Sequence, residues 1–148
     1  AQVAESFGVE PRIAMLSYSD FGENRIDPNV AKIAKAVQIV RQLEPEILID
    51  GEMQADTAVN PTLANQNFAF SEIAGSANVL VFPDLASGNI AYKLLGELGK
   101  ATPIGPIIVG LSYPVNALSL GCSVSEIVHM AAITSNQILD REIFGEDV

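Results

Sequence analysis

Several side chains that can take part in chemistry lie close together near the C-terminal end of the sequence. Within the segment NALSLGCSVSE they are Ser119, Cys122, Ser123 and Glu126. A hydroxyl, a thiol and a carboxylate at this spacing could form a nucleophilic or acid–base site. The alternative is structural, because SVSE fits the S-x-x-E capping box directly before an apolar periodic run. The capping box explains Ser123 and Glu126 without any catalytic role.

The thiol in this segment lacks an obvious base. Cys122 is the only cysteine of the chain and His129 its only histidine. A position beside a helix N-terminus favours the thiolate of Cys122. A catalytic cysteine also needs a base, and helical spacing places His129 beyond the first turn of the final helix. We therefore do not expect a pair between Cys122 and His129.

Three carboxylates occur close together in the segment DGEMQADTA, namely Asp50, Glu52 and Asp56. Such groups could bind a hard cation or act as acid and base. Neither a histidine nor a second carboxylate cluster accompanies them. The sequence therefore predicts no metal site, and the usual case is a polar loop whose acids cap the following short helix.

Two further segments follow apolar runs. In FPDLASGN, free N–H groups at a helix N-terminus could accept a phosphate, or Asp84 or Ser87 could fill the cap instead. SYSDFGEN, residues 17–24, contains one glycine and no lysine, and the chain contains no G-x-G-x-x-G. Neither standard nucleotide-binding loop is therefore supported, and residues 17–24 are expected to form an ordinary strand-to-helix loop.

Apolar runs of strand length alternate with amphipathic helices along the chain. Strands are predicted at residues 12–17, 47–49, 78–82 and 107–109, with a fifth candidate at 114–118. Helices are predicted after Asp27-Pro28, after a turn in DGEMQADTAVNP, from Ser87 to a C-cap at Gly99, and from Ser123. Residues 62–76 show no period and are expected to be a loop. The pattern predicts an α/β fold with three layers: a mostly parallel sheet with helices on both faces.

In open parallel sheets, ligands bind at the carboxyl ends of the strands. The segments at that edge are residues 17–22, 50–54, 83–89 and 116–122.

Composition excludes several classes of partner. The 148 residues carry a net charge of -10, so no basic footprint for nucleic acid or anionic lipid exists. No apolar run reaches the length of a membrane span, and one cysteine agrees with a reducing, cytoplasmic compartment. Charged residues make up only 18% of the chain, which suits a surface covered by another domain or subunit.

Five blocks of sequence carry a resemblance to a known family. They are RIAMLSYSDFG, IDGEMQADTAV, ANVLVFPDLASGNIAYKLL, GPIIVGLSYPVNALSLGCSVSEIV and the closing AAIT. Together they resemble the C-terminal half of the phosphate acetyl/butyryltransferase family. DGEMQ and FAFSEI are most similar to the transacetylase-like C-terminal domain of NADP-dependent malic enzymes, whereas PDLASGNIAYK and NALSLGCS are closer to the stand-alone transacetylases.

The resemblance implies a two-domain α/β fold similar to that of isocitrate dehydrogenases, with coenzyme A in a cleft between the domains. Residues 1–148 would then form a single domain, the C-terminal part of a longer chain. The N-terminal part would supply one wall of the cleft and an arginine for the acyl phosphate. Acyl-CoA or acyl phosphate would bind non-covalently, and a homo-oligomer is expected.

The resemblance also implies roles for individual residues. Ser119 matches a serine proposed to stabilise the transition state, and Glu126 stands where the family carries an aspartate proposed as base for the coenzyme A thiol. Contacts to substrate or coenzyme A are implied at Ser119, Asn116, Gly121, Cys122, Ser87 and Asn89. Two family arginines fall on Leu120 and Glu97, which cannot stabilise developing negative charge.

These departures favour a regulatory role over catalysis. The main hypothesis is an acyl-CoA-responsive C-terminal domain of an NADP-dependent malic enzyme, inactive by itself, with NADP and a divalent metal bound only in the N-terminal part. The first alternative is part of an active phosphate acetyltransferase or butyryltransferase. The second is a divergent member of the family that serves only in assembly.

Overall fold

A computed structural model describes residues 1–144 of the chain, with side chains up to residue 139. The chain divides into two compact units, Ala1–Ala91 and Tyr92–Val148. The expectation that residues 1–148 form a single domain stays a prediction.

The first unit is built on a parallel sheet. Its strands are β1 (Arg12–Leu16), β2 (Leu48–Met53) and β3 (Val79–Val81), in the order β2-β1-β3. The central strand is apolar throughout its middle, as expected of a strand covered on both faces, and its Ile13, Ala14 and Leu16 are buried. The predicted α/β class with a parallel sheet is confirmed, and the first three predicted strands are present.

Strand β2 extends further than the sequence predicts. A strand was expected at residues 47–49 followed by a turn, whereas β2 continues to Met53. The extension depends on Gly51, whose φ is +131° and whose absent Cβ would lie 2.5 Å from the carbonyl oxygen of Met15. Only glycine tolerates this conformation and this close approach of two backbones.

Five helices accompany the sheet: α1 (Gln2–Ser6), α2 (Pro28–Leu43), α3 (Ala55–Val59), α4 (Pro61–Asn67) and α5 (Leu85–Gly99), the last of which continues into the second unit. Helix α2 begins as predicted, because the carboxylate of Asp27 accepts a hydrogen bond from the backbone N–H of Asn29 at 2.7 Å. Its buried residues, Val30, Ile33 and Val37, repeat at helical spacing and face the sheet.

Helix α4 lies where a loop was expected, so that prediction is wrong for residues 62–67. The helix begins as α2 does, with a polar cap followed by proline at the first position. The Asn60 side chain accepts hydrogen bonds from the N–H groups of Thr62 and Leu63 at 3.1 and 3.2 Å. The Asn-Pro pair was the available signal, and it outweighs the missing apolar period because the helix is short.

The core of the first unit joins the sheet to the helices that follow β2. Its buried members are Ala14, Leu16, Met53, Ala58 and Ile73. Full burial of a side chain the size of methionine or isoleucine contributes about 1.5–3 kcal/mol. This core holds the carboxyl ends of β1 and β2 beside each other.

Helix α5 differs from its prediction at both ends and on its apolar face. It begins two residues before Ser87, and the left-handed residue at its end is Lys100 (φ +51°), with Gly99 still in the helix. The leucines and isoleucine that repeat at helical spacing along α5, and are therefore expected to face inward, are exposed, with Leu94 at 52% and Leu98 at 79%. The predicted apolar stripe is therefore present in the sequence but not covered within the described residues.

The second unit is organised around α6 (Val124–Phe144). The predicted start at Ser123 is confirmed. Two predicted strands are wrong, because residues 107–109 and 114–118 adopt no strand. Pro103 and Pro106 precede the first of these segments, and the N–H of Ile108 donates to the side chain of Asn116 at 2.8 Å instead of to a neighbouring strand.

Within residues 1–144, no helix combines the length and the apolar character needed to cross a bilayer.

Candidate active site

A small depression in the second unit brings together several polar side chains that can take part in chemistry. Residues 103–105 form part of its wall, and the remaining lining residues are Leu118, Ser119, Cys122, Glu126, His129 and Met130. Three of the residues proposed from sequence thus share one surface: Ser119, Cys122 and Glu126.

The helix explains why these side chains meet. Glu126 and His129, three positions apart, lie on one face at the start of α6, and Cys122, which precedes the capping residue Ser123, borders the same depression. Although it lies beyond the first turn, His129 therefore joins the candidate site. The i, i+3 spacing of Glu126 and His129 was the signal for this. No hydrogen bond joins Cys122 to His129 in the described part of the chain.

Ser119 and Leu120 form the tip of the loop before α6. The N–H of Cys122 donates to the Ser119 carbonyl at 3.2 Å, and Gly121 allows this turn with a φ of +88°. Ser119 is exposed, and within residues 1–144 its hydroxyl makes no hydrogen bond. Leu120 is fully exposed, at 105%. The loop therefore presents a free hydroxyl beside an apolar side chain.

Glu126 is occupied by helix capping. Its Oε2 accepts hydrogen bonds from the N–H of Ser123 at 2.6 Å and from the Ser123 hydroxyl at 2.7 Å. In return, the N–H of Glu126 donates to that hydroxyl at 3.2 Å. The backbone hydrogen bond, then the hydroxyl, lowers the pKa of Glu126 below its ordinary value. The predicted capping box is confirmed, and Oε1 stays available to a ligand.

The side chain of Asn116 is engaged within the protein. It accepts from the N–H of Ile108 and donates to Thr134 at 2.9 Å and to Gln137 at 2.8 Å. Its assignment as a direct ligand contact stays a prediction, and so does that of Gly121. Sequence reasoning missed Thr134 and Gln137, although their i, i+3 spacing places them on one face of α6.

Ser87 and Asn89 belong to the first unit, on α5. Asp84 caps this helix, because its carboxylate accepts from the Ser87 N–H at 2.8 Å, and its carbonyl accepts from the Ser87 hydroxyl at 3.0 Å. The hydrogen bonds with Ser87 lower the pKa of Asp84, and the one from the backbone N–H has the largest effect. Of the two alternatives left open by the sequence, Asp84 fills the cap. Asn89 is exposed.

The three carboxylates of DGEMQADTA point to separate partners. Asp50 forms a 2.7 Å ion pair with Arg41, and Glu52 is buried and accepts from the N–H of Gly22. Asp56 accepts from the next backbone N–H, on Thr57, at 3.0 Å. Across the described residues, no group of carboxylate, cysteine and histidine side chains is arranged to hold a metal ion.

The first unit is thus an α/β unit with a parallel sheet, and the second unit carries a candidate active site where a loop enters a long helix. The chain belongs to the phosphate acetyl/butaryl transferase family, whose sequence profile matches residues 1–135.

Similar proteins agree with this membership. The chain is 49% identical over 130 residues to a phosphate acetyltransferase of Acetivibrio thermocellus, matching 88% of this chain and 39% of that protein. It is 45% identical over 139 residues to the Bacillus subtilis phosphate acetyltransferase, matching 94% of this chain and 43% of that one. A phosphotransacetylase structure from Streptococcus pyogenes superposes with a TM-score of 0.90 at 44% identity, over 95% of this chain and 42% of that one. The chain thus spans about two fifths of the length of these relatives.

Proposed function

We propose that this chain is the C-terminal part of a phosphate acetyltransferase, an enzyme that moves an acyl group between coenzyme A and phosphate. The observation that carries the proposal is 49% identity to a protein of that name over 88% of the chain. The names of the relatives favour the transferase over the malic enzyme hypothesis.

The reaction makes clear what the depression must supply. A phosphate oxygen attacks the thioester carbonyl carbon, the carbon–sulfur bond breaks, and the coenzyme A thiolate takes up a proton. Negative charge develops on the carbonyl oxygen, and a positioned donor stabilises it. The exposed hydroxyl of Ser119, which has no internal partner within residues 1–144, supports its assignment as that donor.

In the reverse direction, the coenzyme A thiol must lose its proton. Glu126 can accept it through Oε1, because both hydrogen bonds from Ser123 use Oε2. Its lowered pKa makes it a weak base. The imidazole of His129 offers a second proton acceptor in the same depression. We propose Glu126 and His129 as the two candidates for this role.

A second candidate function is binding of acyl-CoA without catalysis of acyl transfer. Leu120 stands, by the family resemblance, where an arginine follows the serine, and its exposed side chain offers no hydrogen-bond donor. Glu97 stands at the second arginine position and is also exposed. These departures support an acyl-CoA-responsive regulatory domain, as in the malic enzyme hypothesis, or a transferase with reduced turnover.

The deciding experiment measures acetyl phosphate formation from acetyl-CoA and phosphate by the full-length protein. We expect turnover, with Ser119→Ala lowering kcat by about two to three orders of magnitude. Ser125→Ala is the matched control, because Ser125 is exposed on α6 and makes no side-chain hydrogen bond within the described residues.

Absence of turnover in the wild type would overturn the transferase proposal. Calorimetry with acetyl-CoA then separates the two remaining functions. Binding without turnover supports the regulatory domain, and absence of binding leaves only a role in assembly.

A further inference from the structure

The side-chain amide of Asn116 has no donor left for a ligand. Its Oδ1 accepts from the N–H of Ile108 at 2.8 Å, and its Nδ2 donates to Thr134 Oγ1 at 2.9 Å and to Gln137 Oε1 at 2.8 Å. The Thr134 hydroxyl donates its own hydrogen bond to the carbonyl of Met130, at 2.8 Å, and so acts as the acceptor toward Asn116. A primary amide has two N–H donors, and both are therefore used.

The direction of every hydrogen bond in this group follows from one contact. The backbone N–H of Ile108 can only donate, so the oxygen of Asn116 faces it and the NH2 group faces α6. Gln137 must then present its oxygen to Asn116. This orientation turns the NH2 of Gln137 toward the Ile108 carbonyl, at 3.5 Å. The side-chain amides of Asn116 and Gln137 thus contact the backbone N–H and the carbonyl oxygen of Ile108, respectively.

The loop that carries the candidate site, residues 117–122, is attached to α6 at both ends. Ser123 caps the helix, and Asn116 binds Thr134, which lies roughly 16 Å further along the axis at a rise of about 1.5 Å per residue. A segment from Asn116 to Ser123 can extend at most about 25 Å. The turn between Ser119 and Cys122 shortens it further. The two attachments restrict the loop at both ends, so the place of Ser119 depends on the attachment at Asn116.

We propose that Asn116, Thr134 and Gln137 form a positioning network for residues 117–122, which sets the place of the Ser119 hydroxyl without touching the substrate. The inference rests on the proposed function, acyl transfer at Ser119. Asn116 then acts through the loop and not as a contact to coenzyme A. Thr134 and Gln137 join the functional residues although both lie well beyond the depression along the sequence.

The first test measures backbone hydrogen exchange in the full-length protein. Thr134→Val keeps the shape of the side chain and removes the acceptor for Asn116, so we expect the hydrogen-bonded amides of Ile108 and Cys122 to exchange about tenfold faster. Thr134→Ser keeps the hydroxyl and should restore slow exchange. Ser135→Ala is the control for a neighbouring exposed position on α6.

The second test is kinetic. For acetyl-CoA and phosphate, Thr134→Val and Gln137→Met should lower kcat by about 10- to 100-fold, because a small displacement of a catalytic group is costly. The KM for acetyl-CoA should change by less than about threefold, since no binding contact is lost. Because partial unfolding would also lower the apparent kcat at constant KM, kcat is calculated per folded enzyme, with the folded fraction measured by circular dichroism. If Thr134→Val does not fold, Gln137→Met carries both measurements.

Faster exchange with a lower kcat supports the network. Unchanged exchange in both variants overturns it, whether or not the wild type turns over. Faster exchange with unchanged kcat also overturns it, because the loop would then be loosened without effect on Ser119. If exchange is faster in the variants but the wild type shows no turnover, the network is supported. That result contradicts the proposed function instead.

Discussion

The carboxylate of Asp20 accepts two hydrogen bonds from Gln54, one from its backbone N–H and one from its side-chain amide, each at 2.8 Å. Asp20 follows β1 and Gln54 follows β2, so the pair joins the loops at the carboxyl ends of two neighbouring strands. Glu52, on β2, bonds to the loop after β1: its carboxylate accepts from the N–H of Gly22, and its backbone carbonyl accepts from the N–H of Phe21. Two buried acids therefore help to hold this edge of the sheet together, and neither forms an ion pair with a basic side chain in the described residues.

The first prediction concerns this clamp. Asp20→Leu leaves the N–H of Gln54 without its acceptor and should lower the free energy of unfolding by about 1–3 kcal/mol. Asp20→Asn keeps one oxygen for that N–H, and a flip of the Gln54 amide restores the second bond, so its cost should stay below about 1 kcal/mol. Urea denaturation of both variants measures the difference. Equal midpoints would show that the hydrogen bonds contribute nothing beyond the packing.

The second prediction concerns Gly51. Gly51→Ala should destabilise the first unit by about 1–3 kcal/mol, because alanine disfavours its positive φ and the new Cβ would meet the Met15 carbonyl oxygen at 2.5 Å. The matched control is Gly99→Ala, a helical position with nothing within 4 Å of the added Cβ. There alanine should stabilise by about 0.4–1 kcal/mol. Thermal unfolding checks both signs, and a neutral Gly51→Ala would contradict the close approach of β1 and β2.

Much of the fold could be predicted because the sequence patterns that determine it lie within a few neighbouring residues. Asp27-Pro28 and SVSE each contain a cap and its helix within four residues, and both helices start as predicted. The three apolar runs that became β1, β2 and β3 are also continuous in sequence. The predictions failed where contacts between residues distant in sequence determine the local structure. Residues 107–109 are as apolar as β1, yet the N–H of Ile108 bonds to a side chain eight positions away.

In the candidate site, too, local features could be predicted from the sequence, whereas contacts between distant residues could not. Its capping residues, Ser123 and Glu126, were predictable from spacing. Placement of His129 in the same depression as Glu126 needed the helical face to be counted beyond the first turn. The engagement of Asn116 could not be foreseen, because Thr134 and Gln137 reach it only after the loop folds back along α6. A polar residue in a loop suggests a ligand contact until its internal partners are known.

The third prediction is a pH dependence at the start of α6. The Ser123 hydrogen bonds lower the pKa of Glu126 in the folded protein. The stabilisation is therefore fully present above the ordinary glutamate value of about 4.3, and it is lost as the pH falls through the lowered folded pKa. Glu126→Gln should abolish this component, whereas Glu72→Gln, at an exposed position without a side-chain hydrogen bond in the described structure, should retain it.

Hydrogen exchange of the first turn of α6, followed across the acidic range, measures this effect directly. Ser123→Ala supplies the complementary variant, since it removes the cap and should cost about 1 kcal/mol at neutral pH. If Glu126→Gln and the wild type lose protection at the same pH, the capping hydrogen bonds do not control the titration of Glu126.

The fourth prediction concerns the residue beside the proposed donor. Leu120 is fully exposed, so Leu120→Arg should change stability by less than about 0.5 kcal/mol. A guanidinium next to Ser119 would meet the charge that develops during acyl transfer, and kcat of the full-length protein should rise by about two orders of magnitude. Leu120→Lys tests charge without the planar fork and should gain less. Leu120→Gln, which adds polarity without charge, is the control. An unchanged kcat in all three variants, with acetyl-CoA still bound, would mean that the site has lost more than one cation and would favour the regulatory function.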